Sequence, residues 1–188
     1  MTLLASSRAG AGGAARYGAP AMAFHWSVAV LIVFLGALGL LFDDIPRESR
    51  PFWINLHGCV GLIYFALVVA RLLWRIRNRP PDPSLALSPL NRRVSTAVHH
   101  LLYAVMVLVP VAGFVAFVWH ARPFDYGLFR LDFGVASTPE IFRPAKEVHQ
   151  VLAYALFALA GLHVAAALYH HFIRRDGVLT RMVPIARQ

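Results

Sequence analysis

Cysteine is almost absent: of 188 residues, only Cys59 carries a thiol. An intramolecular disulfide and any metal site built on clustered cysteines are therefore excluded. With no C-x-x-C-H run, so is a covalently attached c-type haem on the usual pattern. Charge is scarce as well. Only 14% of residues are charged, while 59% are hydrophobic and the mean hydropathy is +0.60. Soluble domains carry about 25% charged residues, so this chain could not cover its surface with polar groups. The membrane class is favoured before any motif is read. Internal repeats, low-complexity tracts and a second domain are also missing. Acidic residues number nine against eighteen Lys and Arg, for a net charge of +9. Such a surplus can mark a nucleic-acid binder. Here the basic residues sit in the connections between apolar runs, so topology accounts for them and nucleic acid is not an expected partner.

What the chain has in abundance is long apolar runs. Four stand out, near Ala21–Phe42, Ile54–Trp74, Val94–Trp119 and Val148–Ile173. Each is about twenty residues or more, enough to cross a hydrocarbon core of ~30 Å as a helix. The expected fold is all-α, a four-helix transmembrane bundle in the lipid bilayer. Residues 1–18, rich in Gly, Ala and Ser, are expected as a flexible N-terminal tail before a single domain over 19–188. Pro80, Pro81, Pro83 and Pro89 are expected to keep the connection between the second and third helices non-helical. The first run is too long for a signal-peptide core and is followed by Asp43-Asp44-Ile45-Pro46-Arg47, so it is expected as a retained helix. Pro110 and Gly113 in "LVPVAG" are expected to kink the third helix. Twelve of the eighteen basic residues fall in the N-terminal tail, the second connection and the C-terminal tail, and seven of the nine acidic residues fall on the other side. The positive-inside rule then puts both termini in the cytoplasm.

Ionisable residues inside spans are costly and read as functional by default. His149 and His163 lie fourteen residues apart in the fourth run, about 40° short of four full turns and ~21 Å along the axis. One helix thus turns two imidazoles towards the bundle interior, one per leaflet. His57, at the outer start of the second helix, matches His149 in depth. His25, at the inner start of the first, is the natural partner of His163, with His99 and His100 as competitors. Zinc asks for thiolates, carboxylates or further histidines, and no acidic residue lies within these runs. Paired neutral imidazoles on facing helices suit the iron of a haem instead. Gly36, Gly39, Gly58, Gly61, Gly113 and Gly161 would allow close approach, and Arg71 and Arg75 are candidates for haem propionates. His120, His170 and His171 read as interfacial anchors, and Trp26, Trp53, Trp74 and Trp119 as an aromatic belt.

The runs "FHW" at His25, "INLHGCVGL" with "ARLLWRI", "HHLLYAVMVLVPVAG", "KEVHQ" and "GLHVAAALYHHF" with "LTRM" carry a resemblance to the bacterial cytochrome b561 family. It covers residues 20 to 185. The resemblance implies a multi-pass protein of the bacterial inner membrane with two haem b groups. By that resemblance His25 and His163 ligate one iron, and His57 and His149 the other. It is nearest to members that pass electrons from superoxide to ubiquinone. Other members are cytochrome b subunits that anchor a dehydrogenase or hydrogenase, so a redox protein partner is the alternative expectation. For superoxide, Arg122, Arg130, Arg143 and Lys146 in the long connection from His120 to Lys146 are the residues expected to steer an anion. For ubiquinone, His170, His171 and Arg174 are the candidates.

Overall fold

A computed structural model describes residues 16–78, 81 and 88–183. Most of the expected N-terminal tail and most of the proline-rich connection lie outside the described residues. Four helices dominate: α1 Ala19–Leu40, α2 Arg50–Arg77, α3 Pro89–Trp119 and α4 Pro139–Tyr169. Each opens with a proline in its first turn, Pro20, Pro51, Pro89 and Pro139, where the missing N–H costs nothing and the fixed φ suits the helix.

All four are long and apolar enough to cross a membrane. Their outward faces stay apolar and exposed, among them Val33, Leu73, Val151 and Ile173. In water such a surface would be untenable; against acyl chains it is the expected one. The bundle is held at mid-depth by Val28, Tyr64, Val68, Met106, Val109 and Leu156, with a second cluster of Cys59, Val118 and Phe124 near one end. α3 runs unbroken through Pro110.

Two expectations need correction. Pro89 does not belong to a non-helical connection: it is the first residue of α3, and the Ser88 hydroxyl caps the helix by accepting from the Asn91 N–H at 3.3 Å. The connection after His120 also ends sooner than Lys146, because α4 begins at Pro139 and carries Arg143 and Lys146 on its first turns. In both places the helix outruns its apolar stretch, since polar turns that reach beyond the bilayer still make their backbone bonds.

Within the remaining connection, β1 Phe124–Asp125 and β2 Arg130–Leu131 form a small antiparallel hairpin. At the opposite end, α4 loosens into a π-helical turn over His170–Arg174, closed by Arg175 in the left-handed region at φ 52. A short 3-10 turn, Leu179–Arg181, follows. The Tyr17 N–H donates to the Arg181 carbonyl at 3.2 Å, the Trp26 indole to Met182 at 2.8 Å and the Arg181 guanidinium to the Pro81 carbonyl at 3.2 Å. The segments nearest the two termini and the α2–α3 connection thus meet at one end of the bundle.

Candidate functional site

α4 is the axis of the site. Its His149 faces His57 of α2, with ring centroids 6.0 Å apart, and its His163 faces His25 of α1 at 6.2 Å. The two sequence-derived pairs are therefore brought together, one near each end of the bundle.

At the first end no third histidine joins the pair among the described residues, and the Phe42 ring stands 5.4 Å from that of His57. The His149 Nδ1–H donates to the Val109 carbonyl at 2.8 Å. That bond fixes the tautomer and leaves Nε2 with its lone pair. Buried Nδ1 of His57 has no hydrogen-bond partner. Gly113 makes the room for His149, since a Cβ there would lie 2.8 Å from Nδ1, whereas a Cβ on Gly39 would meet the His57 ring at an ordinary contact distance of 3.7 Å. Gly61 and Gly161 face open space instead.

The second end is crowded. His99 of α3 stands 5.2 Å from the His163 ring, closer than His25 does, and its Nδ1–H donates to the Ser95 carbonyl at 2.6 Å. Arg71 of α2 donates to His25 Nδ1 at 3.1 Å. All four helices thus contribute to one cluster. The guanidiniums of Arg71 and Arg75 lie 5.4 and 5.6 Å from the Tyr103 ring centroid. A single sequence stretch could not reveal that grouping, although His99 was open as a competitor.

Four further groupings lie outside the two pairs. Arg47, Arg50 and Arg122 line an outward cleft of about 370 Å³ with Pro51 and Ile54. Arg122 was expected among steering residues; Arg47 and Arg50 were not. Arg130 is neutralised by Asp132 at 3.4 Å. His170 is not a simple interfacial anchor: the π-helical turn brings its Nδ1 onto the Asp176 carboxylate, with both side chains largely buried. His120 stacks on Phe142 at 4.5 Å. Burial, with Arg122 and Lys146 beside it, holds its imidazole below the ordinary histidine range.

Four candidate spans around two imidazole pairs at different levels define the class: a helical membrane protein with paired histidines inside its bundle. Comparison with known proteins narrows this. The family described as prokaryotic cytochrome b561 matches residues 16–184. Cytochrome b561 homolog 2 of Escherichia coli (strain K12) is 30% identical over 173 residues, covering 89% of this chain and 91% of that protein. Cytochrome b561 homolog 1 of the same organism is 26% identical, covering 85% and 92%. A protein of Yersinia pestis named probable superoxide oxidase CybB is 26% identical, covering 92% and 98%. The chain belongs to the prokaryotic cytochrome b561 family, and is a membrane electron-transfer protein.

That membership implies haem b, and the residues fit it. An iron held between two imidazoles, at metal–nitrogen bonds of about 2 Å, separates the ring centroids by about 6 Å, which both pairs match. A buried imidazole nitrogen with no hydrogen-bond partner, as on His57, is satisfied by a coordination bond. Among the described residues no group of three or more His, Cys, Asp or Glu side chains is placed to hold a bare metal ion.

Proposed function

We propose that the chain is a di-haem b oxidoreductase of the inner membrane that takes electrons from superoxide outside and delivers them to ubiquinone. In this reading residues 19–188 form one cytochrome b domain behind the tail 1–18, and both termini are cytoplasmic. His57 and His149 ligate the outer haem iron, His25 and His163 the inner. The carrying observation is that α4 meets an imidazole from a different helix at each end, at ring separations of 6.0 and 6.2 Å. His99 stands nearer His163, at 5.2 Å, than two imidazoles across an iron would, so it would have to draw back to take the place of His25.

Haem b supplies reversible one-electron transfer. The chain's own residues do the rest. With an imidazole pair holding each iron, the site would pass single electrons rather than bind dioxygen. Arg47, Arg50 and Arg122 gather positive charge in the outer cleft, where a small anion is attracted at short range. His163 lies on α4 and His170 opens the π-helical turn that follows it, seven residues and about 10 Å further along. The hydrogen-bonded His170–Asp176 pair is the candidate to relay a proton at the inner end, where a reduced quinone needs one. Arg71 and Arg75 lie where they can take up haem carboxylates.

Rapid mixing of the purified, haem-loaded protein with superoxide tests the reading. The haem absorbance should shift to the reduced form much faster in the native protein than in His149→Ala. Equal rates would defeat it. Inertness to superoxide together with co-purification of a soluble dehydrogenase would make the chain that enzyme's electron-transfer subunit.

A further inference from the structure

Ala121, left-handed at φ 59, ends α3 and turns the chain back along the side of the bundle. Phe124 is buried there, stacked on Phe117 at 4.2 Å and Phe114 at 6.0 Å. Phe114 lies about 7.5 Å inward of the end of α3. Asn55 of α2 grips the hairpin from the other side: its Nδ2 donates to the Asp125 carbonyl at 2.6 Å and its Oδ1 accepts from the Asp125 N–H at 3.0 Å. The Tyr126 hydroxyl donates to the Cys59 carbonyl at 3.5 Å. Cys59 is two residues deeper along α2 than His57. Asn55 and Cys59 each lie about half a turn around the helix from His57. The hairpin is therefore fastened to the outside of the bundle, at the depth of the outer imidazole pair.

Its tip is apolar. Leu128 is 98% exposed and Phe129 56%, the latter stacked on Tyr126 at 4.7 Å. Leu131 and Phe133 are exposed beside them. Two N–H groups of the turn are paired: Tyr126 N–H donates to the Phe129 carbonyl at 3.0 Å and Gly127 N–H to the Asp125 carboxylate at 2.8 Å. Gly127, at φ 78, takes the first central position that a type II′ turn reserves for glycine. A bare leucine tip is costly in water, whereas apolar and aromatic side chains are what the bilayer boundary accepts.

We propose that residues 124–133 form an interfacial wedge whose partner is the bilayer itself, with Leu128 and Phe129 inserted in the outer leaflet. The wedge continues the lipid-facing surface of α2 and α3. It pins the outer connection at the level of His57 and His149.

The test is a nitroxide on Leu128→Cys, in vesicles of phosphatidylcholine and phosphatidylglycerol. Leu128 touches little, so the label is tolerated, and buried Cys59 stays unlabelled; an unchanged haem spectrum verifies the fold. Relaxation by dissolved oxygen should exceed relaxation by a water-soluble nickel chelate several-fold. The reverse order would overturn the wedge and leave the tip as a surface for a soluble protein. The readout is depth, so it stands apart from electron transfer to or from superoxide and quinone.

Discussion

The His57–His149 pair, outer in the proposed orientation, and the His25–His163 pair, inner in it, use the same residue type at nearly the same ring separation, in opposite company. At the outer end, His149 is preset by the Val109 carbonyl and His57 waits with a bare nitrogen. At the inner end, the guanidinium of Arg71 occupies His25 Nδ1. Arg71 can only donate, so the proton of neutral His25 sits on Nε2. Presenting an Nε2 lone pair to iron therefore requires Arg71 to release Nδ1. His99 meanwhile stands by with its tautomer already fixed. The outer end is a prepared site without reserve; the inner end is a cluster whose partners must be exchanged on loading. Preorganisation by neighbouring carbonyls costs nothing at the moment of binding, whereas the inner rearrangement trades one good contact for another.

The sharpest way to break the comparison is to delete one imidazole at each end. His57→Ala is expected to lose half the bound haem b. His25→Ala is expected to keep part of the inner haem through His99, and to lose it when His99→Ala is added. Haem-to-protein ratios check this; equal loss from both single variants would erase the contrast.

Next in size is Gly113→Val. A Cβ there meets His149 Nδ1 at 2.8 Å, where the ring is tied to Val109 and cannot step aside. The outer haem spectrum should fall while the inner one persists.

The smallest effect is expected from Arg71→Gln. Removing a cation beside the inner pair disfavours the added electron. The inner midpoint potential should drop by tens of millivolts as an order of magnitude, with the outer unchanged. Potentiometric titration of the two haems reads it directly, and equal shifts would show that Arg71 is not particular to the inner end.

The spans were legible because a bilayer demands long apolar runs of a set length, and that demand acts on sequence alone. The fourteen-residue interval was legible for a related reason: a straight helix converts spacing into direction and depth. Hence His57 could be paired with His149 by depth, and His163 with His25, while His99 and His100 stayed competitors. Helix ends were less legible, because Pro89 and Pro139 start helices in polar sequence where hydropathy is silent.

By itself, then, the sequence determined four membrane helices, their apolar faces and two levels of histidine along α4. The tertiary structure alone decided which side chains from distant segments share a space. It put Arg71 on His25 and His99 against His163, joined Arg47 and Arg50 to Arg122, and folded the α3–α4 connection down onto α2. Depth and facing within one helix follow from local geometry. Contacts between segments depend on how whole helices pack and turn, which no local pattern encodes.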